Sequence, residues 1–190
     1  MCKHWRQRCI FDTMNNKLRI AIDMDEVLAD TIGKFITLYN QKHHTNFHID
    51  EMLPGKEFTE LLPEELRHTL REYINEPGFF RDIPVMDGAL EVLPKLSEKY
   101  DVYIVSAAME FKNSLADKLE WLNEHFPYIS WTNIIFCGHK IVNVDIMIDD
   151  RVKNFVNFEG RKLLFTSPHN LTYDEFERVN TWDEVAGLLL

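Results

Sequence analysis

The stretch Arg19-Ile20-Ala21-Ile22-Asp23-Met24-Asp25-Glu26-Val27-Leu28-Ala29-Asp30 sets a short apolar strand directly against two carboxylates two residues apart. Side chains alternate along a strand, so Asp23 and Asp25 share a face where the backbone stays extended, and a cation between them would remove their repulsion. The pair predicts a metal site at the end of the first strand. The alternative is an acidic end that merely caps the following helix. Other parts of the chain decide between the two.

With 190 residues, 45% of them hydrophobic, the chain fits one domain or one domain carrying an insertion, with enough apolar surface for a full core. No apolar run reaches the roughly 20 residues that span a bilayer, and residues 1–17 lack the apolar segment of a secretory signal. A soluble, cytoplasmic protein without a membrane partner is expected. Cys2, Cys9 and Cys137 form no C-x-x-C pair, which fits reduced thiols rather than a disulfide framework or zinc site. The net charge of -10, with no basic cluster beyond the first 19 residues, disfavours a nucleic acid polymer as partner. A small anionic ligand is compatible if a local cation works against the global field.

Residues 1–17 read as a polar tail, within which Met14 is a candidate internal start. A buried strand is expected over 18–22 and a helix over 27–39, from the stripe Val27, Leu28, Ile32, Phe35, Ile36 and Tyr39. Few strand signals occur from 41 to 81, where Pro63-Glu64-Glu65-Leu66 marks a helix start and Pro77-Gly78 a turn. His43, His44 and His48 lie in this segment without a partnering carboxylate pattern, so a solvated loop is preferred to a metal site. From 84 onward helical stripes at 88–99 and 111–126 alternate with strand candidates at 100–105, 133–137, 144–148 and 162–165. On the second helix Phe111, Leu115, Leu119, Leu122 and Phe126 mark the expected buried face. Thr181 is expected to cap a C-terminal helix on which Trp182 packs. Such alternation predicts a parallel α/β sheet with ligands at the carboxyl ends of its strands.

Chemistry-bearing residues stand at three of those ends. The first strand runs into Asp23 and Asp25, the strand at 101–105 into Ser106-Ala107-Ala108, and the strand at 144–148 into Asp149-Asp150-Arg151, with Lys140 nine residues before Asp149. Singly, Ser106 reads as a turn hydroxyl, Lys140 as a surface lysine and Asp149-Asp150 as a helix cap. Together they supply what phosphoryl transfer needs: a carboxylate nucleophile, a carboxylate acid, a hydroxyl and an ammonium for phosphate, and acidic ligands for magnesium.

The order D-M-D-E-V at 23–27, I-V-S at 104–106, and Lys140 with I-D-D at 148–150 resembles the four motifs of the haloacid dehalogenase (HAD) superfamily of phosphatases. Within it, Val27-Leu28-Ala29-Asp30, Pro77-Gly78-Phe79-Phe80 and the run 140–151 resemble the 5'(3')-deoxyribonucleotidase branch and its bacterial 5'-nucleotidases. The resemblance implies a Rossmann-like three-layer αβα core over residues 18–33 and 82–190, with a small helical cap inserted at 34–81. It implies Mg2+-dependent hydrolysis of a small phosphomonoester, a nucleoside or deoxyribonucleoside 5'-monophosphate, through an aspartyl-phosphate. By position, Asp23 becomes nucleophile and metal ligand, Asp25 acid and base with its main-chain carbonyl on the metal, and Asp149 the last metal ligand. Ser106 and Lys140 become phosphate contacts, and Asp150 acts through water or by orienting Lys140. A protonated Asp25 then needs neighbours that raise its pKa.

Three positions depart from the pattern. Glu26 stands where many members have Gly, Ser106-Ala107-Ala108 replaces Thr-Ser-Pro, and Thr31 aligns with an aromatic residue that stacks on the base. The cap is expected to exclude water, with Phe35, Phe47, Phe58 and Phe79 as candidate readers of the leaving group or as core. His169, in a loop at a later strand end, is a further candidate contact. Two alternatives stay open: a HAD phosphatase for another small phosphate such as a sugar phosphate, and a receiver-like signalling domain that accepts a phosphoryl group on aspartate. Base and sugar preference and oligomeric state have no readable signal.

Overall fold

The computed structural model describes residues 17–190. The tail expected over 1–17, with Met14, Cys2 and Cys9, lies outside them apart from Lys17, whose Nζ donates to the Ser97 carbonyl at 3.1 Å. Six strands form one sheet: β1 (Arg19–Ile22), β2 (Asp101–Ser106), β3 (Ile134–Phe136), β4 (Ile146–Asp149), β5 (Arg161–Phe165) and β6 (Glu177–Val179). Their order is β3-β2-β1-β4-β5-β6, and every neighbouring pair is parallel. The run Ile20-Ala21-Ile22 is buried on both faces, the composition a central parallel strand requires. Chain direction across the sheet switches at β1, where Ile22 pairs with Ile104 on one side and Ile148 on the other. Asp23 therefore leaves the sheet in the crevice such a switch creates.

Helices α1 (Thr31–His43), α2 (Phe58–Leu61), α3 (Arg67–Ile74), α4 (Ala89–Lys99), α5 (Ser114–His125) and α6 (Trp182–Leu189) accompany the sheet. The larger core packs Ile20, Ile22, Ile104 and Ile148 against Leu93 of α4, Trp121 of α5 and Val185 of α6. On the other face Ala21, Val105, Met147 and Leu164 lie under Phe155 and Phe158. The sheet is thus flanked on both faces, as expected, but the second flank is a 3-10 helix, Val152–Phe155, rather than a long α-helix. Gly88, at φ 83°, lets α4 begin close to α6: a Cβ there would lie 3.0 Å from that of Trp182. Trp182 also donates from Nε1 to the Val27 carbonyl at 2.8 Å, tying α6 to the loop after β1.

The helix expected from residue 27 starts instead at Thr31, because residues 24–29 close into a tight turn. The amides of Leu28 and Ala29 both donate to the Met24 carbonyl, at 2.8 and 2.9 Å, and Glu26 N donates to the Ala29 carbonyl at 2.8 Å. Val27 and Leu28 are fully buried loop residues that mimic the helical stripe. Asp30 caps α1 by accepting from Gly33 N at 2.8 Å, and α1 runs unbroken across the 33/34 boundary expected for the insertion. The 34–81 segment is otherwise helical, with α2, α3 and two 3-10 turns. Thr181 caps α6 by accepting from Glu184 N, and Trp182 is buried, as expected; β6 had no clear sequence signal.

Candidate active site

Asp23 follows β1 and is anchored to β4 through its amide, which donates to the Ile148 carbonyl at 2.9 Å. Its Oδ1 accepts from Met24 N at 2.6 Å and pairs with Lys140 Nζ at 2.5 Å. The same ammonium reaches Asp149 Oδ2 at 2.6 Å, so one buried cation serves two buried carboxylates. Asp149 is further held by Arg151 N at 2.8 Å and by Asn154 Nδ2 at 2.9 and 3.0 Å from its two oxygens. Asp23, Asp149 and Asp150 each offer an oxygen within 4.8 Å of the others, the one such cluster among the described residues. Burial pushes the Asp23 carboxyl up to about 6, with Asp149 and Asp25 adding to the rise and Lys140 opposing it. Burial, with Asp23 and Asp149, also raises Asp150, whereas those two carboxylates raise Lys140 against its own burial. Negative charge here exceeds what the lysine offsets, and an all-oxygen donor set suits a hard divalent cation.

Asp25 points elsewhere. Its Oδ2 pairs with Lys118 Nζ, and its Oδ1 lies 3.1 Å from the Thr31 hydroxyl. Lys118 projects from α5, is buried, donates to Ser106 Oγ at 3.0 Å and packs 4.8 Å from the centre of the Phe80 ring. Burial alone would raise Asp25, but Lys118 and the two hydrogen bonds hold its carboxyl below the usual range. The neighbours found here lower the carboxyl, the opposite of the raising neighbours expected for a proton donor. Sequence reading passed over Lys118 because it sits in an apolar stripe. The observed buried face of α5 is Ser114, Lys118, Trp121 and Leu122, while Leu119 is exposed.

Glu26 lies at φ 59°, the left-handed region where glycine is at ease, which explains the Gly of the motif. Its carboxylate secures the conformation by accepting from Ile32 N at 2.7 Å and lies 3.4 Å from Ser167 Oγ. Burial raises this carboxyl to about 8 despite the Ile32 amide. Ser167 Oγ is 2.9 Å from His169 Nδ1, and His169 Nε2 is 3.1 Å from the Asp150 carbonyl. His169 is thus a buried brace behind Asp150, its pKa lowered by burial and by Arg151. Arg151 bridges Asp150, at 3.3 Å, and Glu57 at the start of α2.

A cleft of about 840 Å3 opens over these groups, bounded by α1, α2 and α3 on one side and the strand ends on the other. Asp23, Asp25, Lys140 and Asp150 line it. Ser106 is fully buried under Lys118, and Ala107 lines the cleft in its place. Of the four phenylalanines singled out, Phe35 and Phe58 line the cleft; Phe79 packs on Phe35 and Phe47 on Phe58. His48 pairs with Asn46 and His43 stacks on Tyr39, so the histidines do not converge.

A parallel sheet of this order with acidic strand ends defines the fold of the haloacid dehalogenase-like hydrolases, and solved structures agree. The match to such a hydrolase of Streptococcus pneumoniae covers 93% of this chain and 100% of that one at TM-score 0.56 and 14% identity. A HAD hydrolase of Bacillus subtilis, solved bound to magnesium, matches over 91% of this chain and 98% of that one at TM-score 0.54 and 15% identity. Residues 16–190 match the model of the family described as 5' nucleotidase, deoxy (pyrimidine), cytosolic type C protein, and the chain belongs to that family. A Staphylococcus aureus (strain Mu50) protein provisionally named a 5'(3')-deoxyribonucleotidase is 46% identical over 172 residues, 90% of this chain and 94% of that protein. The 5'(3')-deoxyribonucleotidase of Bacillus subtilis is 38% identical over 174 residues, 90% of this chain and 98% of that protein. The chain is a phosphomonoester hydrolase, which sets aside the receiver-like alternative. Among the described residues no helix is long and apolar enough to cross a membrane.

Proposed function

We propose that this protein hydrolyses nucleoside 5'-monophosphates, deoxyribonucleoside forms included, through an aspartyl-phosphate on Asp23. The observation that carries the reading is the convergence of Asp23, Lys140 and Asp150 on the floor of a cleft bounded by helices of the inserted segment, with Asp149 buried behind them on the Lys140 ammonium. The names of the relatives supply the substrate class. An Asp23 oxygen attacks phosphorus, the P–O bond to the 5'-oxygen breaks, and Asp25 gives that oxygen a proton. Water, deprotonated by Asp25, then attacks phosphorus of the acyl phosphate, which frees inorganic phosphate, restores the Asp23 carboxylate and leaves Asp25 protonated, the form in which it entered.

The dianionic phosphate arriving beside Asp25 favours its protonated form, so Asp25 takes up a proton from solvent as substrate binds and enters phosphoryl transfer as the acid. Lys140 offsets charge between nucleophile and phosphate. Ser106, buried beneath Lys118, helps hold that ammonium against Asp25 and does not meet phosphate with its own hydroxyl. Asp23, Asp149 and Asp150, with the Asp25 main-chain carbonyl, would hold Mg2+, which would supply the charge neutralisation that lets a carboxylate approach a phosphate. Residues 34–81 serve as a cap that excludes water and reads the leaving group, with Phe35 and Phe58 facing it. The overall acidity of the chain, with no basic cluster beyond the first 19 residues, supports a small substrate over a polymer. A cytoplasmic location fits such a substrate.

A panel of nucleoside and sugar monophosphates, assayed with and without Mg2+, tests the reading. Nucleoside 5'-monophosphates are expected to turn over fastest and only with the metal. Sugar phosphates outpacing every nucleotide would overturn the substrate, and undiminished turnover after chelation would overturn the metal.

A further inference from the structure

Of the four carboxylates at the strand ends, Asp25 is the one that packing does not hold. Its side chain is 36% exposed, against 7%, 1% and 3% for Asp23, Asp149 and Asp150. An aspartate that open samples several rotamers unless polar contacts select one. Two contacts do so here, Lys118 on Oδ2 and the Thr31 hydroxyl on Oδ1. A single partner would leave the carboxylate free to swing about that contact. Two partners on different oxygens fix its plane.

Thr31 is well placed to be the second partner. It is the first residue of α1 and is buried, and its own amide donates to the Ala29 carbonyl at 3.0 Å. Branching at Cβ restricts its χ1 to a few rotamers, and the one adopted aims the hydroxyl at Asp25. The other acceptor near that hydroxyl, the Ala29 carbonyl, is at 3.5 Å and beyond good hydrogen-bond range, whereas Asp25 Oδ1 is at 3.1 Å.

The geometry points to Thr31 as a positioning residue that sets the Asp25 carboxyl in the orientation from which it protonates the leaving-group oxygen. This rests on the proposed role of Asp25 as proton donor. The proton passes from Asp25 to the ester oxygen as the P–O bond breaks, with the bond's electron pair staying on that oxygen. The Thr31 proton stays on Oγ1 throughout.

Thr31→Val keeps the side-chain shape and removes the donor; Thr31→Ser keeps the donor. Each is assayed at saturating Mg2+ on thymidine 5'-monophosphate, whose alkoxide must be protonated to leave, and on p-nitrophenyl phosphate, whose phenolate leaves without a proton. kcat/KM isolates the first phosphoryl transfer. Thr31→Val is expected to lower it about tenfold for the nucleotide and less than about twofold for the aryl ester, with Thr31→Ser close to the parent on both. Thr31→Ala serves the same comparison if the valine protein does not fold. Equal losses on the two esters, or none, while Asp25→Asn still discriminates between them, would overturn the role of Thr31. If Asp25→Asn fails to discriminate, the donor role of Asp25 falls and takes that of Thr31 with it.

Discussion

Asp23→Asn removes the proposed nucleophile while nearly conserving its shape, and Lys140 keeps its partner in Asp149. Phosphate release is expected to fall at least about a thousandfold with a melting temperature close to the parent's, and retained turnover would exclude Asp23 as nucleophile. Glu26 makes a different kind of prediction. Its carboxyl is raised from 4.5 to about 8 in the fold, so the native state holds a proton that the unfolded chain releases. Bound protons favour the state that binds more of them; Glu26 therefore costs stability increasingly as pH rises from about 4.5 to 8. Glu26→Gln keeps the acceptor for Ile32 N and can donate to Ser167. In metal-free protein it is expected to match the parent near pH 4.5 and to exceed it by on the order of a few kcal/mol at pH 8. Urea unfolding at the two pH values measures the difference, and a gap independent of pH would contradict the burial argument. The glycine expected after the D-x-D and the glutamate present answer the same backbone demand, φ 59°, by different means.

Helix α5 shows how an element can be found correctly with its face only partly right: Leu122 and Phe126 are buried as expected, and Leu119 is exposed. Its existence follows from the apolar spacing between 111 and 126, but counting apolar residues turns Leu115 and Leu119 inward. The pairing of Lys118 with Asp25 and Ser106 turns the helix so that the lysine faces the site and Leu119 faces outward. Hydropathy cannot register a partner 93 residues away in sequence. Lys118→Met tests the consequence. Replacing one member of a buried pair by an apolar side chain of similar length is tolerated when the remaining charge has water, and Asp25 is 36% exposed. Nucleotide kcat/KM is therefore expected to drop about 10- to 100-fold while the thermal midpoint moves by no more than about 5 °C. A collapse of stability with activity per folded molecule unchanged would make Lys118 a structural residue only.

The sheet brings Asp23, Asp149 and Asp150 together from segments more than 120 residues apart, and concentrates charge that Lys140 does not balance. A divalent cation binding the native cluster and not the unfolded chain stabilises by mass action, about 2.7 kcal/mol at a hundredfold excess over its Kd. For a chain of this size that corresponds to a rise of roughly 5–10 °C in Tm with Mg2+, lost on chelation and absent in Asp149→Asn. A Tm unaffected by Mg2+ would count against the cluster as a metal site. The chemistry of the strand ends was readable because it is local: an apolar run followed by a carboxylate, hydroxyl or acidic pair states both the strand and its terminus. β1, β2 and β4 and the positions of Asp23, Asp25 and Asp149 follow from that. Contacts between distant segments are not local and needed the folded chain. They buried Ser106, brought Lys118 to Asp25, set Thr31 on its other oxygen and placed Asp150 in the cluster, because packing and charge pairing, not hydropathy, decide which side chains meet.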